Sequence, residues 1–168
     1  MTDISRLCSR DLPTIAKPFA VEHAGKTWCC ATDGWCLLAR SDLPAEVVPE
    51  APWAERMLSK ATGHGTPSTV AHLRAGFGSP LWGDPCPCCG QAVGRLWPAP
   101  ERLVIFLGRV VNAVLAARLL DCVPDGDGLC EVGKSAEDMG SLWMRGETWI
   151  AMLMPIREAP NGKPGVTP

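Results

Sequence analysis

The sequence has no tyrosine, only three histidines, a net charge of only −2 and no long apolar run. Each shortage excludes something. With 16 basic residues against 18 acidic ones, the chain lacks the basic surplus by which non-specific nucleic-acid binders hold phosphates, so any DNA contact needs a local basic face. No window approaches the roughly 20 apolar residues that cross a bilayer, and no membrane is expected. The opening residues, from Met1 to Thr14, have neither the basic start nor the apolar stretch of a secretory signal, which leads to the expectation of a cytoplasmic protein. Also missing are a phosphate-cradling glycine loop, a metal-hydrolase motif and a nucleophile elbow, so a non-catalytic role is expected.

What is present suits a single folded unit. The 168 residues are 46% hydrophobic and 20% charged, enough for one domain with its own core. Nine cysteines stand out beside seven tryptophans. Nine is odd, so complete internal pairing is impossible, and in a reducing compartment thiols or metal ligands are the better reading.

Along the chain, Ile4, Leu7 and Cys8 at helical spacing behind Asp3 predict a short amphipathic helix over residues 3–12. Phe19–Val21, Thr27–Thr32 and Trp35–Arg40 predict three strands, with Asp33-Gly34 as a two-residue type I′ turn. A helix follows Pro52, with Trp53, Met57 and Ala61 on one face, and Thr66-Pro67 opens another carrying Val70 and Leu73 and ending at Gly76. The stretch from Gly76 to Pro100 is rich in Gly and Pro, and about 25 residues without regular structure calls for an organiser. Leu103–Leu107 then predicts a buried strand. Gly108–Asp121 gives the strongest helix, with Val110, Val111, Val114, Leu115 and Leu119 on one face. Leu129–Val132, Ser141–Arg145 and Thr148–Met154 predict three more strands. Both halves thus repeat a helix plus three strands, at 3–40 and 108–154, an α+β architecture with two helices on one face of a pair of sheets. The expected organisation is one domain over 1–158, with 63–100 as a linker and metal-loop insertion, and a disordered tail over 159–168.

Val110-Val-Asn112 through Leu119-Leu120, Pro124-Asp-Gly126, and the terminal strand from Trp149 to Met154-Pro155-Ile156-Arg157 resemble the last module of the bacterial DNA sliding clamp. They are similar as well to single-domain clamp-like proteins of phages and mobile elements. Gly25-Lys26 and the Ala31-Thr-Asp-Gly34 turn with its following strand resemble the first half of such a domain, so the resemblance covers about half of the chain. It implies the fold of a polymerase processivity factor, self-association into a ring, and two helices facing DNA through Arg6, Arg10, Arg109 and Arg118. Four arginines per subunit make a thin lining, because each neutralised phosphate adds to affinity and salt dependence.

Cys86-Pro-Cys88-Cys89-Gly90 is the sharpest local signal. Cys86 and Cys89 have the C-x-x-C spacing at which a tight turn aims two thiolates at one zinc, in the manner of half a zinc knuckle, and Cys88 can substitute for one of them. A second C-x-x-C is missing, so the remaining ligands must be distant, with His64 and His72 as candidates. The alternative is a set of free thiols or a redox pair. A catalytic C-x-x-C usually opens a helix whose dipole lowers the first thiol's pKa, and Gly90-Gln-Ala-Val-Gly94 before Trp97-Pro98 does not continue as one. Cys8, Cys29, Cys30, Cys36, Cys122 and Cys130 are expected to pack as small hydrophobes.

Trp28, Trp35, Trp143 and Trp149 are placed in strands as core or sheet-face residues, whereas Trp53, Trp82 and Trp97 lie in or beside loops, where exposed aromatics mark partner surfaces, and Trp82 and Trp97, which bracket the cysteine cluster, are candidates for contact with a protein partner. Two functions follow: an accessory of DNA replication or repair, or an inhibitor that blocks a host nucleic-acid machine such as a CRISPR-type defence complex. Thiol redox activity ranks third.

Overall fold

A computed structural model describes residues 3–9, 11–44, 52–77, 103–124, 128–135 and 140–156. At the start, the helix expected over 3–12 is a single 3₁₀ turn, Ile4–Leu7, capped by the Asp3 carboxylate, which accepts from the Ser5 N–H at 2.9 Å. It stops there because Cys8 is extended and the Ser9 N–H turns to the carbonyls of Ile15 and Thr32, both at 3.1 Å, instead of continuing a helical ladder. A second 3₁₀ turn, Pro13–Ile15, follows.

Strands β1 (Phe19–His23) and β2 (Lys26–Thr32) are joined by Ala24-Gly25, both at positive φ (51° and 74°), the geometry of a type I′ turn. Asp33-Gly34 does not form the type I′ turn expected of it, since only Gly34 of that pair has a positive φ. The Asp33 carboxylate instead accepts from the N–H groups of Trp35 (2.9 Å) and Cys36 (3.0 Å), and this wider loop leads into β3 (Cys36–Arg40).

Helix α1 (Pro52–Ser59) has its proline at the first position, where the missing N–H costs nothing. Its buried face is Ala54 and Leu58, continued by Ala61, while Trp53 stays 39% exposed with its ring 5.6 Å from that of Phe19. Thr66–Thr69 forms strand β4, not the opening of a helix, and Thr69 caps helix α2 (Val70–Phe77) by accepting from the His72 N–H at 3.1 Å.

The long helix expected from Gly108 begins five residues later. Leu103–Phe106 (β5) and Arg109–Asn112 (β6) form a hairpin about Leu107-Gly108, again both at positive φ. Ile105 is 79% exposed, so β5 is not the buried strand its composition suggests. The Asn112 side chain then caps helix α3 (Ala113–Asp121), its Oδ1 accepting from Val114 at 2.9 Å and Leu115 at 3.3 Å. Strands β7 (Leu129–Lys134), β8 (Leu142–Arg145) and β9 (Trp149–Leu153) complete the order close to where their sequences place them.

The main sheet has seven strands in the order β1-β2-β3-β9-β8-β7-β4, every neighbouring pair antiparallel, and β5-β6 is a separate ribbon. The class is α+β. The two segments expected as helices on one face, the first 3₁₀ turn and α3, do share a face together with α2, but the two sets of strands form one sheet and not a pair, and α1 covers its other face. Because β3 and β9 lie at the centre with both faces covered, all ten of their positions are buried. Alternation therefore disappears and the strands read as apolar runs.

Trp143, 1% exposed, shows how tightly the second face is filled. Its ring packs against Gly133 of the adjacent β7, where a Cβ would come within 2.5 and 2.8 Å of ring atoms, and against Gly65, where a Cβ would come within 2.7 Å. Neither glycine has a positive φ, so both are required for space and not for backbone freedom.

Candidate functional site

The predicted metal cluster, Cys86, Cys88 and Cys89, lies outside the described residues, together with Trp82, Trp97 and Arg10. The two histidines proposed to complete it are described. His64 stands between α1 and β4 and His72 in the first turn of α2, both exposed. Among the described residues, no group of three or more His, Cys, Asp or Glu is arranged to hold a metal ion.

Of the arginines expected to face DNA, the fold brings two together. Arg118, half-buried on α3, donates from Nη2 to the carbonyl of the exposed Arg6 at 3.1 Å, where the helix passes the first turn of the chain. Arg109 lies apart from them, ahead of the N-terminus of α3, on strand β6 and not on a helix. Its guanidinium is seated over Gly140, where a Cβ would sit 3.1 Å from Nη2. Beside Arg6, hydrogen bonds from Ser5, with help from the Arg6 charge, hold the Asp3 carboxyl below its ordinary range.

Other arginines, which the sequence did not single out, serve the fold by donating to backbone carbonyls. Arg40, 5% exposed at the end of β3, pairs bidentately with Asp42 (2.9 and 2.6 Å) and donates a third bond to the Cys122 carbonyl at 3.3 Å. Its hydrogen bonds hold the Asp42 carboxyl below the usual carboxylate range. Arg74 of α2 reaches the Leu120 carbonyl through Nε (3.3 Å) and Nη2 (2.9 Å). The C-terminal carbonyls of α3, the negative end of its dipole, thus receive two guanidinium groups from two different elements. Arg145 does similar work on the other face: it pairs with Glu131, donates to the carbonyls of Ala61 (3.0 Å) and Gly63 (2.9 Å), and lies 5.0 Å from the centre of the Trp143 ring. A visible signal existed only for Arg40, a charge ending an apolar strand two residues before an aspartate.

Six cysteines are described, all as free thiols. Five are buried and Cys8 is half-buried, so packing is their role as expected. Burial pushes the Cys8 thiol up to about 11, Cys30 to about 12 and Cys122 to about 11, and raises Cys29 and Cys130 as well. Cys36 is raised by burial and further by Asp33, whose Oδ1 lies 3.5 Å from the sulfur. At a pKa of about 11, roughly one thiol in 10⁴ is ionised at pH 7, and the thiolate is the reactive form. Raised in this way, the six thiols are poorly activated as nucleophiles near neutral pH.

The described tryptophans divide largely along the expected line, Trp53 being 39% exposed. Trp28, Trp143 and Trp149 are buried, but Trp35 is 48% exposed, because the Asp33 carboxylate holds the backbone of that loop and carries Trp35 off the strand. Leu12, at 51%, and Leu129, at 79%, are further exposed apolar side chains. An open groove lined by Pro67, Leu129, Cys130, Glu131, Arg145 and Gly146 runs along the β4 side of the sheet. No helix among the described residues is long and apolar enough to cross a membrane. No family model matches the chain, and neither a curated protein nor a solved structure matches it.

Proposed function

We propose that this chain is a non-catalytic, zinc-stabilised binding protein with a clamp-like fold, a phage-type accessory of DNA metabolism acting through a protein or DNA-associated partner in the host cytoplasm. The observation that carries the reading is the strand order. β1-β2-β3 and β9-β8-β7 are two antiparallel meanders set back to back across the β3/β9 pair, and α3 precedes the second as the resemblance to the sliding clamp implies. The first meander departs from that pattern, preceded by two short 3₁₀ turns in place of a helix. The raised pKa values of the six buried and half-buried thiols favour packing over thiol catalysis for those six.

In this reading Cys86 and Cys89, or Cys88 in place of one of them, hold zinc with His64 and His72. The metal organises the segment around it, as structural zinc does when its binding free energy is also folding free energy. The test takes the full chain as purified. Elemental analysis should find about one zinc per chain, and DNA binding should weaken with rising salt. Replacing the exposed Arg6 and Arg109 with alanine should lower the slope of log affinity against log salt by about 1 for each phosphate no longer neutralised. Less than half an equivalent of zinc, or no salt-dependent DNA association, rejects the corresponding part of the proposal.

A second reading, inhibition of a host nucleic-acid machine, is favoured by the exposed Trp35 and Trp53, the type of side chain that anchors protein interfaces. It requires a stoichiometric complex with such a machine that Trp35→Ala or Trp82→Ala weakens, with no dependence on Arg6 and Arg109.

A further inference from the structure

We draw no further inference here: the strongest candidate, the open groove at the β4/β7 side of the sheet between Pro67, the exposed Leu129 and the Arg145–Glu131 pair, carries nothing because the Arg145 guanidinium is already engaged by Glu131 and by the carbonyls of Ala61 and Gly63, and nothing in the structure shows what covers Leu129.

Discussion

Adding one methyl group at Gly133 tests the packing of the second face most directly. A Cβ there would come closest to Cζ2 of Trp143, then within 2.5 Å of Cε2 and 2.8 Å of Cη2, whereas carbon atoms settle about 3.5–4.0 Å apart, so the ring has to retreat by more than about 1 Å. It has little room to do so, because Trp143 is 1% exposed and Gly65 also closes on its Cη2, where a Cβ would be 2.7 Å away. Two effects oppose each other in Gly133→Ala. Alanine narrows the unfolded ensemble and gains about 0.4–1 kcal/mol, while overpacking an enclosed site costs about 1–3 kcal/mol. With the ring closed in, the cost belongs at the upper end, and the net loss should be about 2 kcal/mol. For a chain of 168 residues this corresponds to a fall in Tm of roughly 4–8 °C. Urea unfolding of the full chain measures it, and Trp143→Leu supplies the control. That change is itself destabilising through the cavity it leaves, but on its background Gly133→Ala should become nearly neutral, a coupling of more than about 1 kcal/mol. A Gly133→Ala protein within 0.5 kcal/mol of the parent, or the same loss in both backgrounds, would refute the steric argument.

Three further outcomes are expected. Asn112→Ala should cost about 2 kcal/mol in urea unfolding, since it strips an N-cap and leaves the N–H groups of Val114 and Leu115 without their acceptor in a buried setting, and Asn112→Asp should recover most of the loss; an alanine variant as stable as the parent would show that the cap is dispensable. Asp42 has its pKa depressed by Arg40, so its contribution is complete above the unfolded value of about 3.9 and fades as pH falls through the folded value. Asp42→Asn should therefore be less stable at pH 7, with the gap to the parent closing below about pH 4; parallel stability curves across that range would contradict the pairing. Finally, alkylation mapped by mass spectrometry at pH 7 should label the half-buried Cys8 before Cys30, Cys36 and Cys122, all of which should react fully only on unfolding. Rapid labelling of Cys36 in the native protein would overturn the assignment of these thiols to packing.

Much of the strand content was legible because the strands are short apolar runs bounded by turn residues, and β2, β3, β8 and β9 stand close to where those runs lie. The misplaced elements share a cause. Val110 and Val111 fit both a helical face and a strand, and the choice is made by the hairpin with β5, which depends on Leu107 adopting a left-handed φ of 50° that no propensity favours for leucine. Thr66-Pro67 resembles a helix start, yet Pro67 pairs with Glu131, far along the chain, and occupies the edge strand where a missing N–H is tolerated. Asp33-Gly34 marks a hairpin correctly, but the aspartate hydrogen-bonds its own loop and so sets a different turn and exposes Trp35. The candidate zinc ligands are legible because C-x-x-C is a local motif, as is the Arg40–Asp42 pair, whereas the backbone carbonyls that Arg40, Arg74 and Arg145 reach belong to distant elements, about which local sequence says nothing.

The pairing of β3 with β9 has a kinetic consequence. Leu38 meets Ala151 and Cys36 meets Leu153, so the centre of the sheet joins strands from opposite ends of the described fold. β3 is complete early in synthesis, yet its inner edge waits for the last strand, and pairing at such sequence separation is slow. Until β9 arrives, Cys36-Leu-Leu-Ala39 presents an unpaired apolar edge, and in a concentrated nascent or refolding population that edge is the surface on which wrong intermolecular pairing would begin.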